Sequence, residues 1–355
     1  MIKTTVQEFV TALKSSLVLT KKQTIPVLGY VRVTDNTVSA TDLDCFTIIP
    51  FESKGEGDFM LPYKQTLDVL SGEKGQLLML EYIPEIKGVK GQRDKDAKVK
   101  LNFSGCEFLL ETVSVSNFPE APKQAETTLH VEDFKTLLDH CTFAISQEAS
   151  RYTLNGALLT GGETVTMVAT DAHRLSLMTT PGDGKIDKTI ISTRALDWLN
   201  KNIGPVSIGV EGSYQTFVIG NKVLISRIIS GQYPNYEAVM PRERKITATF
   251  PSGKDLLPTL TRVMKCSDDR SHCVEWEFNG KATIYAESSE RGSAKSDLNC
   301  STSGGEVLIG WNGEYVQDFL KVVGDRPFTV SIRDNQSAAM FQAGEFQYVV
   351  MPMRL

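Results

Sequence analysis

The chain has 355 residues, 38 of them Lys or Arg and 43 Asp or Glu, for a formal net charge of −5; at about 150 residues per domain, that length predicts two to three domains. Apolar residues make up 41% beside 27 glycines, which excludes a disordered or low-complexity chain. No apolar run reaches the roughly 18 residues of a membrane-spanning helix, and the acidic balance argues against a uniformly basic nucleic-acid binder.

Met1 to Thr20 mixes polar and apolar residues and lacks a signal-peptide core. Within it, Val6, Phe9, Val10 and Leu13 fall on one face of a helix. A hairpin follows over Val31 to Asp44, turning at Asp35-Asn36 and ending in Ala40-Thr41-Asp42. Phe59 to Leu70 reads as a strand running into a second helix, with Leu67-Asp68 inside it. Pro84 to Lys100 carries Lys87, Lys90, Arg93, Asp94, Lys95, Asp96, Lys98 and Lys100 and is expected to be a solvated loop. Asn117-Phe118-Pro119-Glu120 closes this first unit.

The plan then recurs. Val131, Phe134, Leu137 and Leu138 give another one-faced helix. Ala157 to Arg174 is a hairpin turning at Gly161-Gly162 and ending in Ala169-Thr170-Asp171, 129 residues after its first counterpart. Leu196-Asp197, in the strand-to-helix segment Thr189 to Leu199, also lies 129 residues after Leu67-Asp68. Gln232-Tyr233-Pro234-Asn235 closes the second unit. A third copy is looser. Gly253 to Met264 is a helix expected to start late or bend at Pro258. Val274 to Ser289 turns at Asn279-Gly280, Val307 to Leu320 is strand then helix, and Tyr348 to Leu355 ends the chain. The reading is an α+β chain of three repeated domains, each with two helices packed on antiparallel sheets: 1–123, 124–246 and 247–355.

The six cysteines (Cys45, Cys106, Cys141, Cys266, Cys273 and Cys300) form no metal-binding spacing and are expected to be buried free thiols in a reducing compartment, the cytoplasm. Asp171 lies two residues before His173, the spacing of a possible acid–base pair. No nucleophile elbow, phosphate-binding loop or histidine–carboxylate helix motif completes it. Gly304-Gly305 stands alone, and Asp268-Asp269 supplies only part of a cation site. The expectation is a binding module with no catalytic residue, metal or cofactor.

Four segments, in order, carry a resemblance: Ser146-Gln147-Glu148 leading to Arg151-Tyr152-Thr153-Leu154-Asn155-Gly156; Val168 to Leu175; Gln232 to Tyr236; and Tyr348-Val349-Val350-Met351-Pro352-Met353-Arg354-Leu355. Together they resemble the bacterial DNA polymerase III beta subunit, the sliding-clamp family. The first unit matches through Ile25 to Gly29, Thr41-Asp42 and Phe118-Pro119. The resemblance implies a head-to-tail homodimer that closes a ring around duplex DNA, binds it without regard to sequence and tethers the replicative polymerase. The clamp loader and other proteins with a clamp-binding motif are further implied partners. A specialised paralogue serving a mobile element, repair or inhibitor resistance would carry the same motifs.

The resemblance also implies site residues. A peptide-binding pocket would use Leu154, Thr170, His173, Arg174, Leu175, Pro241, Val349, Val350, Met351, Pro352, Met353 and Arg354, with Asn312 and Tyr315 at the rim. Its methionines would adapt to several peptides. Lys22 and Tyr152 match DNA-contacting positions of the family. Lys14, Lys74, Arg151, Arg194, Lys201 and Lys254 are further phosphate-contact candidates, being basic residues on or beside predicted helices. Phe108 matches an apolar anchor of the dimer interface, while Lys265 and Cys266 stand where the family usually has aliphatic residues.

Overall fold

The computed structural model describes residues 1–16, 25–73, 75–86 and 96–355. Its α-helices are α1 (Val6–Ser15), α2 (Tyr63–Val69), α3 (Phe134–Cys141), α4 (Thr193–Lys201), α5 (Gly253–Val263) and α6 (Gly313–Val323). The chain forms two compact units: Met1–Glu132 with Arg194–Ile228, and Asp133–Thr193 with Ile229–Leu355. The middle third of the sequence therefore contributes to both.

In the first unit, the Thr5 hydroxyl caps α1 by accepting from the Glu8 amide. Val6, Phe9, Ala12 and Leu13 form the buried stripe of that helix, with Phe9 edge-on to Phe51 at 5.4 Å. One antiparallel sheet runs Lys54–Gly55, Ile2–Thr5, Leu77–Ile83, Lys98–Phe103, Cys106–Glu111, in which the last is an edge strand. Lys98 and Lys100 thus belong to a strand, not to a solvated loop. They pair with Glu111 at 2.6 Å and Glu107 at 3.0 Å on the neighbouring strand, so cross-strand charge pairing holds a segment whose composition suggested a loop. Residues 87–95 of the expected loop lie outside the described residues. A second sheet runs through Val206–Glu211, Tyr214–Ile219, Lys222–Arg227, Cys45–Pro50, Thr37–Thr41, Tyr30–Val33 and Phe59–Pro62. Its register sets Val223 opposite Ile48 and Ser226 opposite Cys45, so strands of the first and second repeats form one sheet.

The second unit has the same device. Its nine-stranded sheet sets Arg174 opposite Val350 and Leu177 opposite Gln347, joining the second repeat to the third. A four-stranded sheet orders Gly292–Leu298, Ala282–Ser288, Cys273–Phe278, Val307–Asn312. Trp276, Trp311, Phe319, Phe341 and Tyr348 are all buried and form a contiguous aromatic core. Asn312 caps α6 through its side chain, and Gly324, at φ +61°, ends it.

Two further expectations differ from the structure. The helix at Gly253 does not start late: Ser252 caps it from the Asp255 amide, and Pro258 sits in its interior. The cap and the buried stripe of Leu256, Leu260 and Val263 outweigh the amide that the proline lacks. The cysteines are all free, but only Cys45 and Cys141 are buried, and Cys106 is exposed on its edge strand. Burial pushes the Cys141 thiol up to about 12, which leaves it protonated and unreactive.

Candidate binding pocket in the second compact unit

Strand Thr164–Thr170 turns into strand Arg174–Pro181 through Asp171, Ala172 and His173. The turn is held by its own side chains. The Thr170 hydroxyl donates to the Arg174 carbonyl at 2.6 Å and accepts from the Ala172 amide at 3.1 Å. One Asp171 oxygen accepts from the amides of His173 and Arg174 at 2.9 and 3.0 Å. Ala172 is left-handed at φ 77°, a conformation costing about 1 kcal/mol or more that this bonding sustains. The first repeat builds the same turn. Thr41 bonds the Cys45 carbonyl and the Leu43 amide, Asp42 accepts from the amides of Asp44 and Cys45, and Leu43 lies at φ 81°.

Arg174 leads out of this turn with its guanidinium largely satisfied. Nε donates to Asp171 at 3.0 Å, Nη1 to Asp318 at 2.7 Å and, more weakly, to the Tyr348 hydroxyl at 3.5 Å, and Nη2 to the Phe143 carbonyl at 2.9 Å. Its plane also lies over the Tyr315 ring at 4.5 Å. Burial opposes the charge, but Tyr348, Asp318 and Asp171 outweigh it and raise the pKa above the ordinary arginine value. Tyr348 in turn donates to the Tyr315 carbonyl at 3.0 Å. The Met351 amide donates to the His173 carbonyl at 3.0 Å, which brings the C-terminal segment alongside the turn.

Between turn and C-terminal segment lies a cavity of about 200 Å³, its exposed lining mostly apolar. Leu154, Thr170, His173, Arg174, Leu175, Val349 and Met351 meet there, all of them named from the sequence. Ala172, Pro234, Asn235, Tyr236 and Val239 complete it.

Two profiles of known families match this chain. The DNA polymerase III beta subunit central domain matches residues 128–235, and the C-terminal domain of the same subunit matches residues 237–354. The chain belongs to the DNA polymerase III beta subunit family. The beta sliding clamp of Pseudomonas aeruginosa is 26% identical over 366 residues, covering 95% of each chain. That of Escherichia coli is 25% identical over 356 residues, covering 94% of each. Among solved structures, a sliding clamp from Pseudomonas aeruginosa bound to griselimycin superposes with a TM-score of 0.87 at 24% identity over 99% of both chains. One from Bartonella birtlesii, also bound to griselimycin, gives 0.87 at 24% identity over 100% of this chain and 99% of that one. These likenesses establish the clamp fold.

The remaining positions that beta-subunit resemblance suggested are placed elsewhere. Val350 is fully buried and does not line the cavity, because adjacent strand residues face opposite ways. Pro241 lines a neighbouring depression that also includes Val239 and Met351. Pro352, Met353 and Arg354 line a third, with Asn335, Gln336 and Leu355. The Met353 amide donates to Gly310 at 2.8 Å, pinning this tail to the four-stranded sheet. Asn312 serves as the α6 cap, and Tyr315 touches the pocket through Arg174. The signatures Val168 to Leu175 and Gln232 to Tyr236 were the available signals for Ala172 and for Pro234–Tyr236; nothing in the sequence singled out Val239.

Of the basic candidates, Lys14 is exposed on α1 and Lys201 on the last turn of α4. Arg194, on α4, pairs with Asp42 at 2.9 Å, and Lys254, on α5, with Asp325 at 3.4 Å. Arg151 is held by Glu148 at 3.0 Å and by the Asp171 carbonyl at 2.9 Å, whereas its neighbour Tyr152 is exposed. Lys22 and Lys74 lie outside the described residues. Phe108 is half-buried on the edge strand Cys106–Glu111, stacked on Phe103 at 5.4 Å. Lys265, exposed, and Cys266, half-buried, lie in the turn after α5.

Proposed function

We propose that this chain is a DNA sliding clamp: a non-catalytic processivity factor that encircles duplex DNA and tethers the replicative polymerase. The observation that carries the reading is the match to two consecutive beta-subunit domains from residue 128 to residue 354 in a chain whose likeness to curated clamps covers 95% of it.

In this reading the chain has three clamp domains, with boundaries near residues 123 and 246, and two copies close head to tail. Phe108 and the open edge of its strand lie on one side of the interface, and Lys265 and Cys266 on the other. Closure makes attachment topological, so DNA need be touched only weakly. Lys14, Lys22, Lys74, Arg151, Tyr152, Arg194, Lys201 and Lys254 are the proposed contacts, made to phosphate and blind to sequence. A bound polymerase then stays at high effective concentration near the primer end.

The cavity between the Thr170–Arg174 turn and Met351 is the proposed seat for short peptides of the polymerase, the clamp loader and other clamp-binding proteins. Its size and apolar lining suit one or two aliphatic or aromatic side chains. Pro241, Val350, Pro352, Met353, Arg354, Asn312 and Tyr315 would extend or brace that seat. Cytoplasmic action suits the free cysteines, and no helix among the described residues is long and apolar enough to cross a membrane.

Primer extension on a long circular template tests the tethering role. Adding the chain with its loader and ATP should lengthen the polymerase's products, and removing Met351 to Leu355 should abolish the gain. Equal product lengths with and without the chain would contradict the reading.

A further inference from the structure

Arg174 is a cation in the wall of a mostly apolar pocket, and its charge is met from outside that pocket. Asp171 supplies one carboxylate at 3.0 Å and Asp318 the other at 2.7 Å; Lys321 reaches Asp318 at 3.1 Å. Asp171, Arg174, Asp318 and Lys321 together sum to zero. Asp318 lies on α6 and lines no part of the cavity. The Arg174 side chain is only 11% exposed, so solvent screens its charge poorly and the fixed carboxylates dominate. The matching turn of the first repeat is tied to a helix in the same way with the polarity reversed, its Asp42 pairing with Arg194 of α4 at 2.9 Å.

We propose that Asp318 is a specificity-determining residue of the pocket: by binding and neutralising the Arg174 guanidinium, it makes the pocket select an apolar side chain over an acidic one. The inference rests on the peptide-site reading above and goes beyond it, because Asp318 acts through Arg174 without touching the peptide. Without Asp318 the guanidinium keeps Asp171 as its one carboxylate partner, its Nη1 loses its shortest bond, and the four-residue group, with Lys321 unpaired, carries a net charge of +1. A ligand carboxylate in the pocket would then meet an arginine answered by one carboxylate in place of two, and would be drawn to it as a charge-assisted partner.

The test uses the full chain and two fluorescein-labelled peptides carrying the clamp-binding segment of the cognate polymerase. They are identical except for Leu or Glu at the anchor position, and affinities are read by fluorescence anisotropy. The unaltered chain should prefer the Leu peptide. Asp318→Asn should shrink that preference by about tenfold or more, a change of about 1.4 kcal/mol. Asp318→Glu should retain it, and Asp318→Ser replaces the Asn variant if that variant folds poorly. Adding Arg174→Met to Asp318→Asn should leave no acidic preference to gain. A Leu-to-Glu ratio unchanged in a folded Asp318→Asn chain overturns this inference alone. Failure of the Leu peptide to bind the unaltered chain overturns the peptide-site reading on which it stands.

Discussion

At the end of α3, His140 donates from Nδ1 to the Thr136 carbonyl at 2.7 Å and accepts at Nε2 from Arg326 at 2.9 Å. Those partners fix the neutral tautomer. The ring packs edge-on to Phe346 at 4.8 Å. Burial lowers its pKa below 6.5 and Arg326 adds to that, while the Thr136 carbonyl, Asp139 and Asp133 oppose it. An unfolded chain therefore takes up this proton before the folded one does. The stabilisation is complete above the unfolded value and is lost as pH falls through the folded value. Melting temperature should drop between about pH 7.5 and about pH 5.5, and His140→Gln should reduce that drop. Equal slopes in the two proteins would contradict the assignment. Cavity-lining residues were legible where a motif is contiguous: Thr170, His173, Arg174 and Leu175 line it from one turn and the strand that follows. Strand alternation would have separated Val349 from Val350. Val239 and the other end of the Arg174 contact, Asp318, come from segments far along the chain, and no local pattern announces them.

Among the elements, the one-faced helices α1 and α3 were readable from spacing, since their apolar residues recur at helical intervals and their caps are local. The start of helix α5 lies earlier than Pro258 suggested, because a proline is a local signal that capping and tertiary packing override. Pro258 is exposed and its ring occupies an interior position, so Pro258→Ala should raise stability by about 1–3 kcal/mol in urea denaturation. A loss of stability would show that the proline is accommodated without cost. The sheets that join successive repeats, Ser226 opposite Cys45 and Arg174 opposite Val350, were not legible. Strand partners more than a hundred residues apart leave no trace in either strand's own pattern.

For the whole molecule, a balance of 38 basic and 43 acidic residues argued at first against nucleic-acid binding. Such a balance excludes only proteins that grip DNA by charge. A ring is retained by its closure, and a modest net charge of −5 limits tight non-specific contact that would hinder sliding. The duplicated turn at Thr41–Cys45 and Thr170–Arg174 shows one plan reused. The pocket described above uses the second copy, where the C-terminal Met351 supplies an apolar wall; at the corresponding place in the first copy, Arg227 pairs with Asp44. Topological attachment is tested most directly by retention on DNA before and after the circle is cut. Loaded by an ATP-driven clamp loader onto nicked circular DNA, the protein should co-elute with the DNA in gel filtration and be lost on linearisation. Retention that survives linearisation would contradict topological attachment.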